Sequence, residues 1–193
     1  MNMKHQKIIA IVPCYNVRNN IIKLLKKLDK EVDKIVVIDD QCPEGSYNFI
    51  KSNIKSKKLI LLKNKTNLGV GGAVIRGYKI ALKYNYPFII KIDGDGQMKP
   101  LYISKMVSFM KKTNCDYVKG NRFMKKGNLK QMPKIRIFAN YIISFMGRFS
   151  TGYWNIFDFN NGYTLISSTT LRKIKFKFIA NNFFFESDLL FYL

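Results

Sequence analysis

Four short apolar runs, each nearly continuous rather than alternating, limit most what this 193-residue chain can fold into. They lie at residues 8–13 (Ile-Ile-Ala-Ile-Val-Pro), 34–38 (Lys-Ile-Val-Val-Ile), 58–62 and 87–92, and a fifth, more polar strand is expected at about 115–119. A strand with one wet face alternates apolar and polar side chains, whereas a strand covered on both faces does not. Between the runs come stretches with helical spacing. Residues 17–30 place Ile21, Ile22, Leu24, Leu25 and Leu28 on one stripe and lysines on the other. Further helices are expected near 46–54, from the Asn67 turn to about 84, and from about Pro100. Strand alternating with helix predicts right-handed βαβ units: an α/β, Rossmann-like, mostly parallel sheet flanked by helices, in a single domain.

Sheets of this kind bind ligands beyond the carboxyl ends of their strands. Four polar clusters fall at such ends: Cys14-Tyr15-Asn16, Asp39-Asp40, Asp93-Gly94-Asp95 and Gly120-Asn121-Arg122. Asp93 and Asp95 stand one glycine apart, and two acids this close repel unless a cation lies between them. A divalent metal holding a phosphate, Mg2+ or Mn2+, meets that need. Asp93, Asp95 and Gln97 are the candidate oxygen ligands. Asp39 and Asp40 are suited to accept hydrogen bonds from a base or ribose. The turn Asn67-Leu-Gly69-Val-Gly71-Gly72 reads either as a phosphate cradle or as close helix packing. If a nucleoside diphosphate departs, negative charge grows on its outer phosphate, and the metal with a nearby cation, first of all Arg122, would stabilise it.

Charge and composition narrow the field. With 34 Lys+Arg against 12 Asp+Glu, the net charge of +22 draws anions, whether nucleic acid, anionic lipid or nucleotide. Lys, Asn, Ile and Phe are all abundant, so coding bias is the alternative reading of that charge. Cys14, Cys42 and Cys115 are odd in number and far apart, which fits neither zinc nor a disulfide framework and points to a reducing compartment. The one histidine, His5, lies near the N-terminus, which argues against a His-based triad and a His-rich metal site. No cleavable signal pattern is visible. No run of about 18 apolar residues exists, so no bilayer-spanning helix is expected. The nearest candidate, Ile135–Phe149, is interrupted by Arg136, Asn140 and Arg148 and reads as an interfacial amphipathic helix or a core helix. Residues 124–133 are expected to form a mobile loop.

Taken together, these elements resemble family 2 of the glycosyltransferases, which have the GT-A fold. Val12-Pro13-Cys-Tyr15-Asn16 looks like the family's opening strand motif, and Asp39-Asp-Gln-Cys-Pro-Glu-Gly-Ser46 like its nucleotide-binding loop. Asn67-Leu-Gly-Val-Gly-Gly-Ala73 with Arg76-Gly77 is similar to its glycine turn and helix. Ile92-Asp-Gly-Asp-Gly-Gln97 looks like the metal-binding element, and Gly120-Asn-Arg122 like the one after it. Met132-Pro, Arg136, Ala139-Asn140, Ser150-Thr-Gly-Tyr-Trp and Asp158-Phe-Asn-Asn-Gly-Tyr163 resemble the branch holding dolichyl-phosphate mannosyltransferase and bacterial polyprenyl-phosphate sugar transferases.

The resemblance implies transfer of a sugar, with inversion, from a UDP- or GDP-linked donor to a polyprenyl phosphate at the cytoplasmic membrane face, with peripheral membrane contact. It implies nucleotide contacts from Pro13, Tyr15, Asn16, Asp39, Asp40, Gly69, Gly72, Asp93 and Gly94, and catalytic roles for Asp95 and Arg122. Arg136 and Arg148 would hold the acceptor phosphate. For a hydroxyl acceptor Glu186 or Asp188 would be the general base; otherwise they mark a helix start. Residues 1–100 would form the donor half and 101–193 the acceptor half. The apolar end, Asp188-Leu-Leu-Phe-Tyr-Leu193, suggests a chain that continues or packs on a partner. Departures from the family pattern are Val17-Arg18 in place of a common Glu, Gln41-Cys42 in place of Gly-Ser, Glu44 in place of Asp, and Phe159 in place of a proline. Alternatives are transfer to a saccharide hydroxyl in cell-surface polysaccharide synthesis, a nucleotidyltransferase, which would place its glycine-rich loop after the first strand, or a non-catalytic basic binding module. No nucleic-acid partner is expected.

Overall fold

Every apolar run forms a strand. The computed structural model describes residues 7–121, 134–159 and 161–193, with Lys134 and residues 136–140 as backbone alone. The strands are β1 (Ile8–Cys14), β2 (Lys34–Asp39), β3 (Leu59–Lys63), β4 (Phe88–Lys91), β5 (Tyr117–Lys119) and β6 (Thr164–Ser167). They build one six-stranded sheet in the order β3-β2-β1-β4-β6-β5. Strands β3, β2, β1 and β4 pair in parallel. Strand β6 is antiparallel to both β4 and β5, so it alone runs against the rest. Its four residues, Thr-Leu-Ile-Ser, are too short and too polar at the ends to stand out in the sequence.

Helices cover both faces, as strands without alternation require. The helices are α1 (Arg18–Glu31), α2 (Ser46–Asn53), α3 (Gly69–Ala81), α4 (Ile103–Thr113), α5 (Lys134–Thr151), α6 (Ser168–Lys173) and α7 (Phe185–Phe191). Ala10, Val12, Ile35, Val37, Ile90 and Leu165 point to the face carrying α1 and α4, where Leu24, Leu25, Met106 and Met110 meet them. Their sequence neighbours Ile9, Ile11, Val36, Ile38, Ile89 and Ile166 point to the other face, against α3 and α7. The period of two is thus kept, with both phases apolar. Helix α3 lies close on the sheet because residue 77 is glycine. A Cβ there would stand 2.4 Å from Ile11 Cγ2 and 2.8 Å from Ile38 Cδ1.

Helix α5 occupies the expected span, but its described side chains do not make a core helix. Ser144 is buried and Gly147 rests on the Phe159 ring, while Phe145 (57% exposed), Met146 (64%) and Phe149 (77%) are open. Among the described residues no helix is long and apolar enough to cross a membrane. The loop expected at 124–133 lies outside the described residues.

Candidate functional site

The chain lays down β1, β2 and β3 outward, then returns to place β4 on the far side of β1. Strand order reverses there, and the two crossovers leave a crevice beyond the ends of β1 and β4. Cys14-Tyr15-Asn16 forms one lip and Asp93-Gly94-Asp95 the other. They touch at Gly94, where a Cβ would lie 3.0 Å from the Pro13 carbonyl oxygen and from Val17 Cγ2. Pro13 is buried, whereas Tyr15 and Asn16 are exposed, and Asn16 takes a left-handed φ of 52° that an Asn tolerates.

The acid pair after β2 is turned inward. Asp39 is fully buried, its Oδ1 accepting from the Cys42 amide (2.8 Å) and its Oδ2 from the Tyr47 amide at the start of α2 (3.1 Å). Asp40 Oδ1 accepts from Asn64 Nδ2 (2.6 Å) and from the Leu68 amide (2.8 Å). One acid therefore shapes the loop over 41–47 and the other shapes the approach to the glycine turn. Arg76 extends this by donating to the Lys63 carbonyl (2.8 Å) and to Asn64 Oδ1.

Several departures from the family pattern meet each other across this loop. The Arg18 amide donates to Glu44 Oε2, and the Arg18 guanidinium to the Glu44 carbonyl, both at 3.3 Å. The Asn16 amide approaches Cys42 Sγ at 3.2 Å. Residues that look like separate substitutions in the sequence thus form one link between the loops after β1 and β2. Burial pushes the neighbouring Cys14 thiol up to about 12, which makes it a packing residue rather than a reactive one.

The glycine turn has a packing reason. Cβ atoms at Gly69 and Gly71 would each lie 2.4 Å from the backbone oxygens of Asn181 and Ala180 respectively. The Gly72 amide donates to the Asn181 carbonyl at 3.2 Å, while a Cβ at Gly72 would lie 2.7 Å from Leu68 Cβ. The segment leading into α7 therefore lies directly on the turn.

At the β4 lip, Lys91 emerges as a residue that the motifs did not mark. It is 1% exposed, and its ammonium lies 2.7 Å from Asp93 Oδ1 and 2.5 Å from Glu186 Oε1. Burial alone would push that ammonium down, but the charges of Asp93 and Glu186 and their hydrogen bonds outweigh it, so the proton is held more tightly than usual. Gly162 closes the third side. A Cβ there would stand 2.2 Å from Lys91 Nζ and 2.3 Å from Asp93 Oδ2. Lys119 lies two strands further, on β5, since both lysines are in register with Thr164 of the intervening β6. Its ammonium donates to the Asn161 carbonyl at 2.6 Å, and burial pushes it down to about 7. One signal for Lys91 was available: a single lysine inside Phe-Ile-Ile-Lys-Ile must meet acids if the strand is buried. Gly162 stands in the Asp158–Tyr163 motif, but nothing local there points to Lys91 or Asp93 as its neighbours.

The remaining candidates separate. Asp95 is half-buried and accepts the Gln97 amide on Oδ1 (3.0 Å), with Gln97 itself exposed. Asp188 lies in the first turn of α7 and accepts the Ala180 amide on Oδ2 at 2.9 Å. Arg148 donates to the Ser144 carbonyl (3.3 Å) and stacks its guanidinium over Phe157, 5.0 Å from the ring centroid. Arg122 lies outside the described residues, and Arg136 is described by backbone alone.

No group of three or more His, Cys, Asp or Glu side chains that could hold a metal occurs among the described residues. An all-protein cage is thus missing there, but a hard cation shared with a diphosphate does not need one. Such an ion takes one or two carboxylates and completes its shell with phosphate and water. Asp93 and Asp95, both partly exposed at the crevice, fit that requirement.

Comparison with known proteins agrees with this geometry. The chain is 33% identical over 176 residues to an uncharacterized protein of Methanocaldococcus jannaschii, covering 87% of this chain and 75% of that one. It is 27% identical over 184 residues to the UDP-N-acetylglucosamine–dolichyl-phosphate N-acetylglucosaminyltransferase of Methanococcus voltae, covering 88% and 73%. Its fold matches the crystal structure of glucosyl-3-phosphoglycerate synthase from Mycobacterium tuberculosis in complex with Mn2+, UDP and glucosyl-3-phosphoglycerate. That match has a TM-score of 0.66 at 14% identity over 96% of this chain, and the chain spans 64% of that structure. The Glycosyl transferase family 2 profile matches residues 9–175, and the chain belongs to that family.

Proposed function

We propose that this chain is a metal-dependent glycosyltransferase that moves a sugar from a UDP- or GDP-linked donor to a polyprenyl phosphate at the cytoplasmic membrane face, with inversion. The observation carrying this reading is the Asp93-Gly94-Asp95 lip at the switch point, facing exposed Tyr15 and Asn16. Tyr15 and Asn16 contact the nucleoside, and Asp39 and Asp40 hold the two loops that frame it. Asp93 and Asp95, with Gln97, present oxygen to a divalent cation, Mg2+ or Mn2+. When bound, that cation neutralises charge on the departing diphosphate. Arg122 adds positive charge at the same phosphate.

The choice of a phosphate acceptor is supported by the two acids that would otherwise serve as base. Glu186 is bound to buried Lys91, and Asp188 accepts the Ala180 amide. A phosphate is already anionic and needs cations instead, which Arg136 and Arg148 supply. The methanococcal relative, named for a dolichyl-phosphate acceptor, points the same way. The apolar face of α5 and Trp154 (58% exposed) offer contact with a lipid surface.

Thermal unfolding with UDP or GDP, with and without Mg2+ or Mn2+, tests the donor site. One nucleotide at about one hundred times its Kd should stabilise by about 2.7 kcal/mol, a rise of roughly 5–10 °C, only with metal. Asp95→Asn should abolish the rise. Stabilisation independent of metal, or none with either nucleotide, would refute the donor reading. Transfer to an oligosaccharide but not to a polyprenyl phosphate would refute the acceptor.

A further inference from the structure

We propose that Lys91 is a positioning residue. It sets the carboxylate of Asp93 for the cation and ties it to Glu186, so that the donor lip and the start of α7 hold one shared geometry. The inference rests on the metal–nucleotide reading above.

Three elements converge on one ammonium. Asp93 follows β4 and Glu186 comes from α7; the turn before β6 brings in Gly162, with no room for a side chain between them. Lys91 is almost fully buried and Glu186 is 6% exposed, so neither can exchange its partner for water without cost. Asp93 keeps 31% exposure, as a group shared between the interior and a ligand would. Its Oδ1 faces Lys91, and its Oδ2 lies too close to the position of a Gly162 Cβ for any side chain there. The carboxylate is therefore constrained in rotation as well as in place. The backbone just before α7 is the same backbone that lies on Gly69 and Gly71. Through Glu186, Lys91 thus connects the acid of the metal lip to the segment that covers the glycine turn.

Charge and position make opposite forecasts, which makes the idea testable. A lysine acting only as a neighbouring positive charge weakens cation binding, so its removal should tighten Mn2+. A lysine that orients a ligand strengthens binding, and partners of that kind are worth roughly 10–100-fold in metal affinity.

Mn2+ binding to the full chain, followed by electron paramagnetic resonance at saturating UDP and separately GDP, reads the difference without any turnover. Lys91→Met leaves buried Glu186 and half-buried Asp93 without the cation between them and can disturb folding. Lys91→Met in a Glu186→Gln background removes one charge of each sign, and circular dichroism checks that it folds. In both variants Mn2+ affinity should fall by roughly tenfold or more. Unchanged or tighter Mn2+ binding in the folded double variant would overturn the positioning role while leaving the donor site standing. Absence of Mn2+ binding by the wild-type chain with either nucleotide would overturn the donor reading, and this inference with it.

Discussion

Gln41 holds a left-handed φ of 56° in the loop after β2, where a glycine would sit without strain. A side chain in that region costs about 1–2 kcal/mol, and the greater freedom of glycine in the unfolded chain returns less than that. Gln41→Gly should therefore raise stability by about 0.5–1 kcal/mol, measured by urea unfolding, against the usual direction for a glycine substitution. Lys119 gives a second forecast. Unfolded, its ammonium keeps its proton to 10.5; folded, burial brings this down to about 7. Between those values the unfolded chain binds more protons, so this group makes stability rise with pH. Glu186, Lys91, Asp158 and Asp93 are the charged groups that act on it. Lys119→Met removes the rise, and the stability difference between wild type and variant should move by about 2 kcal/mol in favour of wild type from pH 6.5 to pH 9. A difference that stays flat across that range would mean the lysine keeps its proton in the fold.

At the scale of elements, α3 and the lead-in to α7 are held together by missing side chains. Gly71→Ala would drive a Cβ to 2.4 Å from the Ala180 carbonyl oxygen, a backbone atom that cannot rotate away. The variant should lose about 1–3 kcal/mol and open the segment near 180–184 to limited proteolysis, despite the better helix propensity of alanine. An undisturbed digestion pattern would argue that the segment does not depend on this contact. This is also where sequence reading reached its limit. Strands β1 to β4 and helices α1, α3 and α4 are legible because two apolar phases and a 3.6-residue stripe are local signals. The Asp93-Gly94-Asp95 lip was legible because acids at a strand end are local too. Lys91 meeting Glu186 was not, since the two stand 95 positions apart. The glycine turn has two meanings in the sequence, and the approach of Ala180 and Asn181 supplies the reason for the absent Cβ atoms. Strand β6 is not legible because four residues carry too little periodicity.

Across the whole molecule, the proposed lipid contact draws on two features at once, the net charge of +22 and the open apolar side of α5. Phe145→Ser with Phe149→Ser should lower partition onto anionic vesicles by roughly tenfold in a co-sedimentation assay and leave the unfolding midpoint nearly unchanged, since both rings are mostly exposed. Salt should weaken the wild-type binding as well. Equal partition of variant and wild type would place the contact elsewhere. The distance along the chain between Lys91 and Glu186 also bears on synthesis. Strands β1 to β4 precede α7 in the chain, so until α7 has been made Lys91 has Asp93 but not Glu186 to pair with. The four parallel strands are therefore synthesised before the ion pair that ties Lys91 to α7 can close.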